Sequence, residues 1–241
     1  MTLTDAVALV TGASSGLGQE ISVQLIEAGV QVFGLARSKD RLQALHDTYG
    51  DAFIPCAADV RDQDAVDAVF ETIQEQAGRL DILVNNAGLG RFGPVDKMPV
   101  DDWDVQHDTN LRGLYLCTRA AVPMMRAQNE ESGFGGHIVN IASIAGLIGN
   151  PNISAYNATK FGVRGFSQAL MKEVRGAGIR VSCLYPGSIE TDFFDRAGVE
   201  MTDNPLRAED VAATTMHVLR APENHLISEV VVRPLRPRDD M

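Results

Sequence analysis

Residues 6–29 read AVALVTGASSGLGQEISVQLIEAG. The run AVALV (6–10) is apolar without a break, the pattern of a strand buried on both faces. From Leu17 onward the period changes: Leu17, Ile21, Leu25 and Ala28 fall on one side of a helix, and Gly29 ends it. Between the two lies TGASSGLG (11–18). Here Gly12 permits a sharp turn off the strand, Gly16 lets the backbone approach a bound group, and Gly18 lets the helix pack tightly on the sheet. The helix that follows starts with unpaired N–H groups and partial positive charge, a local device for holding phosphate.

The same alternation runs to the end of the chain. Strands are expected at VQVFGLA (30–36), AFIPCAA (52–58), LDILVNN (80–86), HIVNIAS (137–143), IRVSCLY (179–185) and LISEVVV (226–232). Helices fill the intervals: KDRLQALHDTY up to Gly50, a segment with Val66, Val69, Phe70 and Ile73 on one face closing at Gly78, and a long region through about Ala127. A helix carrying Tyr156 and Lys160 and another near 208–220 complete them, while NEESGFGG (129–136) reads as a surface loop. Seven apolar strands separated by helices predict an α/β fold: a doubly wound parallel sheet covered on both faces, in one domain spanning residues 1–241.

Composition narrows the function classes. A formal net charge of −11 repels phosphate backbones, so nucleic acid is not an expected partner. The start MTLTDAVALV has no basic region before its apolar run, and no stretch approaches the ~20 apolar residues a membrane span needs, so neither secretion nor a membrane is expected. Cys56, Cys117 and Cys183 stand far apart, and the five His form no ligand pattern. Three scattered thiols fit buried, reduced cysteines in the cytoplasm, and no metal site is expected.

Two further features carry chemistry. In YNATK (156–160), Tyr156 and Lys160 are one helical turn apart and project from one face. An ammonium beside a phenol is expected to lower the tyrosine pKa and make Tyr156 a proton donor and acceptor near neutral pH. At the end of the second strand a dinucleotide's ribose 2′-hydroxyl calls for Asp or Glu, whereas a 2′-phosphate calls for Arg. The chain offers Ala36, Arg37 and Ser38, with no acid before Asp40. Arg37 can fork onto a phosphate, so NADP(H) is expected, with NAD(H) the less favoured cofactor.

With these residues in place the chain resembles the short-chain dehydrogenase/reductase family over nearly its whole length. The motifs that carry the resemblance are Thr11–Gly18, NNAG (85–88), YNATK (156–160) and YPG (185–187), with Ser143 thirteen residues before Tyr156 and Asn110 in the helix after NNAG. It implies a Rossmann fold, a catalytic set of Asn110, Ser143, Tyr156 and Lys160, and hydride transfer between NADP(H) and a carbonyl or alcohol. Tyr156 would exchange a proton with the substrate oxygen, and Ser143 would hydrogen-bond that oxygen. Lys160 would hold the nicotinamide ribose, and Asn110 would fix a water that re-supplies protons. For the cofactor, the resemblance implies contacts from Gly12, Ser14, Ser15, Gly16, Leu17 and Gly18 of the turn and from Arg37, Asp59 and Val60 around the adenosine. Asn86, Ala87 and Gly88 would line its ribose side, and Pro186, Gly187, Ile189 and Thr191 the carboxamide. It also implies a homo-oligomer, a tetramer or dimer.

Substrate class is read from the loops beyond the carboxyl ends of the strands. Phe92, Ile144, Leu147, Ile148, Phe193, Phe194 and Met201 suit an uncharged carbon skeleton, and residues 188–205 form an expected lid. The lid carries Glu190, Asp192, Asp195, Glu200 and Asp203 against Arg196, which disfavours acidic partners. Arg91 is the basic residue placed to hold one carboxylate. A small to medium neutral carbonyl or alcohol is the expected substrate. The alternatives are a 3-oxoacyl-[acyl-carrier-protein] reductase, which the tail EVVVRPLRPRDDM disfavours, and a catalytically silent NADP(H)-sensing regulator, which has no need of Ser143 and Tyr156.

Overall fold

The computed structural model describes residues 3–198, 203–222 and 224–235. Strands β1 (Val7–Thr11), β2 (Gln31–Ala36), β3 (Phe53–Ala57), β4 (Ile82–Asn85), β5 (Gly136–Ile141), β6 (Ile179–Pro186) and β7 (Glu229–Val232) join in one sheet in the order β3-β2-β1-β4-β5-β6-β7. Every pairing is parallel. All residues of β1, β4, β5 and β6 are buried, which is why their sequences are apolar runs rather than alternations.

Side chains alternate between two cores. Ala8, Val10 and Val32 point to the layer built from α1 (Gly16–Glu27), α2 (Lys39–Tyr49) and α8 (Ala208–Leu219), where Leu17, Ile21 and Leu25 meet Val211, Ala212 and Met216. Val7, Leu9, Phe33 and Leu35 point the other way, onto α3 (Gln63–Gln76), α5 (Gly113–Ser132) and α6 (Ser154–Val174). A fully buried leucine such as Leu9 or Leu83 contributes about 1.5–3 kcal/mol. Asp62 caps α3, its carboxylate accepting from the amides of Asp64 and Ala65.

The long helical region after β4 is two helices, α4 (Val100–His107) and α5, joined by one wide turn over Asp108–Arg112. Helix α5 continues to Ser132 instead of stopping near Ala127, so the expected loop 129–136 shrinks to Gly133, Phe134 and Gly135. The reason is that Gly133 is the first residue able to cap the helix with a left-handed φ of 74°.

Strand order reverses beside β1: the chain leaves β1 towards β2 and later returns to β4 on its other side. The turn after β1 and the loop after β4 therefore part, and a crevice opens at the carboxyl ends of the strands. Beyond β6 the chain makes an excursion whose ends are tied together: the Glu190 amide donates to the Leu206 carbonyl and the Leu206 amide to the Ser188 carbonyl, each at 2.8 Å. The short helix α7 (Phe193–Ala197) lies within it. Glu200 and Met201 of this excursion, and the tail beyond Leu235, lie outside the described residues.

Candidate active site

The crevice is a cleft of about 1350 Å³. At one end is the glycine turn, where Gly12 and Gly16 take φ of 69° and 55°. A methyl group on Gly18 would lie 2.3 Å from the Gly12 carbonyl and 2.4 Å from Asn86 Nδ2, so no other residue fits there. Gly18 thus stands behind the cleft wall, while Gly12, Ser14, Ser15, Gly16 and Leu17 line it. Thr11 fastens the opposite wall: its hydroxyl accepts from the amides of Asn86 and Ala87, each at 3.0 Å, and donates to the Val84 carbonyl at 3.3 Å. Asn86, Ala87 and Gly88 are thereby held facing the turn. The cradle is one that side chains would fill, and it fits a pyrophosphate.

Arg37 stands exposed at the end of β2, and with Ser38, Asp59 and Val60 it lines the far end of the cleft. The Asp59 carboxylate is held by a fork from Arg61, 2.7–3.1 Å away, which keeps it below the usual carboxylate range, with Arg37 adding to the effect. Arg41 also lines this end. Sequence reasoning passed over it, although its place in the first turn of the helix that follows β2 was the available signal. Its guanidinium is 3.9 Å from the carboxylate of Asp192, which reaches across from the far side of the cleft.

At the other end, Ser143, just beyond β5, and Tyr156, in the first turn of α6, both line the cleft, near enough for the Ser143 hydroxyl to pull the phenol's pKa down. The Ser143 hydroxyl also accepts from the Ala145 amide at 3.1 Å. Lys160 is buried below, its ammonium donating to the Ile141 carbonyl at 2.9 Å and lying 5.7 Å from the Tyr156 ring centre. The expected lowering of the tyrosine is reversed. Burial pushes the Tyr156 hydroxyl up to about 12, with only the Ser143 bond pulling the other way, and burial brings Lys160 down to about 8. Desolvation disfavours both charged forms, opposed only by Ser143 at the tyrosine and by Cys183 at the lysine.

Asn110 is buried behind the cleft. Its amide accepts from the Leu89 N–H and donates to the Leu89 carbonyl, both at 2.8 Å, and to Thr159 Oγ1 at 3.1 Å. The side chain thereby locks the loop after β4. Asn157, not singled out from the sequence, does similar work: it accepts from the Asn150 amide (3.1 Å) and donates to the carbonyls of Ala145 (2.6 Å) and Ile148 (2.8 Å). Pro186, Gly187, Ile189 and Thr191 complete the wall beneath this end.

The remaining lining is largely apolar. Phe92, Ile144, Phe193 and Phe194 face the cleft, as expected. Leu147 instead packs beside Leu114, Val163 and Tyr185, and Ile148 is exposed. Arg91 lines the cleft with its guanidinium 3.5 Å from the Asp102 carboxylate, so its charge is already balanced. Among the described residues no group of three His, Cys, Asp or Glu could hold a metal ion, and no helix is long and apolar enough to cross a membrane.

Residues 6–201 match the family model described as short chain dehydrogenase. An uncharacterised oxidoreductase of Staphylococcus aureus strain MRSA252 is 34% identical over 239 residues, covering 97% of this chain and 99% of its own. Among solved structures, the 3-ketoacyl-(acyl-carrier-protein) reductase of Brucella melitensis, complexed with NADH, superposes with a TM-score of 0.89 at 29% identity, over 97% of this chain and 99% of that one. A serine dehydrogenase in its closed form with NADP+ gives 0.85 at 33% identity over 94% of each chain. The glycine cradle, the Ser143–Tyr156–Lys160 cluster and these matches together place the chain in the short-chain dehydrogenase/reductase family of nicotinamide-dependent oxidoreductases.

Proposed function

We propose that this chain is an NADP(H)-dependent reductase of small to medium, neutral ketones or aldehydes. The observation that carries the proposal is the convergence of the Tyr156 hydroxyl, Ser143 and Lys160 on an apolar pocket that opens into the glycine cradle. The glycine turn, Asp59, Val60, Asn86–Gly88 and Pro186–Thr191 would hold the dinucleotide, with Arg37 and Arg41 towards the 2′-phosphate. Support for the phosphate comes from the lack of any acid at the end of β2 and from the NADP+ complex of the serine dehydrogenase neighbour.

The cofactor would supply hydride to the carbonyl carbon. Tyr156 gives its proton to the carbonyl oxygen, and Ser143 steadies the negative charge that develops there. A hydroxyl raised to about 12 stays protonated throughout the neutral range and so can donate to the carbonyl oxygen. Lys160, whose ammonium lies 5.7 Å from the Tyr156 ring centre, would hold the ribose. Asn110 positions residue 89, and through it the pocket wall. The proposal takes the chain as a cytoplasmic homo-oligomer, in line with the exposed Trp103, Tyr115 and Phe161 on α4, α5 and α6.

The Brucella neighbour favours a second reading, reduction of a 3-oxoacyl thioester on a carrier protein. Against it stands the net charge of −11, which repels an acidic carrier. NADPH oxidation measured with a neutral diketone, a keto acid and an acetoacetyl carrier protein separates the two. Highest kcat/KM on the diketone is expected, and a clear preference for the carrier protein would replace the first reading with the second.

A further inference from the structure

The Tyr156 ring belongs to a cluster of aromatic rings that lines the cleft. Phe92, from the loop after β4, meets the Tyr156 ring edge to face, with centroids 5.6 Å apart and planes at 70°. Phe193, from the start of α7, approaches the same ring at 5.7 Å and 54°. The two phenylalanines are 6.3 Å from each other, so the three rings form a nearly equilateral triangle, and Phe194 extends it with a 5.6 Å contact to Phe193. The arrangement depends on Gly90. A methyl group there would lie 2.7 Å from Phe92 and 3.0 Å from Phe193, so the absence of a side chain lets both rings close over the tyrosine. The charges around them are paired, Arg91 with Asp102 and Asp192 with Arg41.

A carbonyl presented to Tyr156 must place at least one of its substituents among these rings. An aliphatic group would bury the same area, but only an aromatic one adds ring-edge to ring-face attraction on Phe92 and Phe193. Accepting the carbonyl-reductase reading above, we infer that this pocket selects carbonyl compounds bearing an aromatic ring next to the reacting carbon, with Phe92 and Phe193 as its specificity-determining pair. Two such contacts are sufficient for a preference on the order of tenfold.

The test compares methyl phenyl ketone with methyl cyclohexyl ketone, which are similar in size and differ in aromaticity. Their intrinsic reactivities differ, so the measured quantity is how the ratio of their kcat/KM values changes between wild type, Phe92→Leu and Phe193→Leu, assayed with NADPH. Leucine keeps an apolar side chain and removes the ring. The expected result is a fall of the aryl-to-cycloalkyl ratio by about three- to tenfold in each variant, with the KM for NADPH unmoved. A ratio unchanged in both variants, while wild type reduces both ketones, overturns the inference and leaves the reductase reading intact. If wild type turns over neither these ketones nor any other carbonyl, the reductase reading fails and the inference fails with it.

Discussion

Tyr156→Phe keeps the ring against Phe92 and Phe193 and removes a single hydroxyl. Turnover should fall ~10²-fold or more, while fluorescence titration with NADPH gives the wild-type affinity. Near-normal turnover would take the hydroxyl out of the mechanism. At the far end of the cleft, a lost charge-assisted bond to phosphate costs about 1.5–3 kcal/mol. Arg37→Ala and Arg41→Ala should each raise the KM for NADPH roughly tenfold and leave that for NADH nearly as it was. Equal wild-type efficiency with the two cofactors would contradict this. The Tyr156 and Lys160 pair was legible from its spacing, since one helical turn puts two side chains on one face, whereas Ser143 was reached only through the family resemblance. The sign of the tyrosine shift was not legible, because a sequence shows that Lys160 is a turn away but not that both groups are buried.

Among elements, the loop between β5 and α6 has the most to lose from a single substitution. Asn157 on α6 ties it down at residues 145, 148 and 150, and Ser143 stands at its root. Asn157→Ala strands these backbone groups and should destabilise the fold by about 1–3 kcal/mol, read as a lower urea midpoint. It should also lower kcat more than it raises the KM for NADPH, since the cradle lies elsewhere. A midpoint and kcat both unchanged would show that the loop holds its shape unaided. Strands and helices were largely legible, for buried strands announce themselves as apolar runs and helices by their one-sided faces. Boundaries that depend on a cap were less so: α5 ends where Gly133 can adopt a positive φ, five residues past the last strongly periodic position near Ala127. No local signal distinguishes a pocket-facing Phe92 from an outward Ile148.

Taken whole, the molecule carries its own pH limit in β5. His137 is fully enclosed, with Nε2 2.8 Å from the Ser182 hydroxyl, which itself donates to the Ile227 carbonyl. Burial, reinforced by the neighbouring Arg180, lowers its pKa to about 3. Unfolded, the imidazole takes up a proton below about 6.5, so the unfolded state binds more protons between those values. Its contribution is therefore complete above about pH 6.5 and is lost as the pH falls towards 3, an effect of a few kcal/mol. Urea midpoints measured from pH 7 to pH 4 should decline, and His137→Gln, which can still donate to Ser182, should flatten the decline. A slope identical in both proteins would assign it to the carboxylates instead. The parallel sheet covered on both faces followed from the alternation of strands and helices, whereas a buried histidine is indistinguishable in sequence from an exposed one.

The excursion that leaves the sheet at Ser188 and rejoins at Leu206 has both its ends fixed by the same pair of backbone hydrogen bonds. Such a segment is an interchangeable cassette: what lies between the ends can change in length and chemistry without any strand changing register. Replacing residues 193–203 with the corresponding stretch of the serine dehydrogenase should therefore give a chimera that melts close to the parent and still binds NADPH, yet prefers different carbonyls. Aggregation or loss of dinucleotide binding would mean that the excursion is part of the scaffold. On this architecture new substrates can be acquired by swapping one insert, while the machinery that moves the proton is inherited untouched.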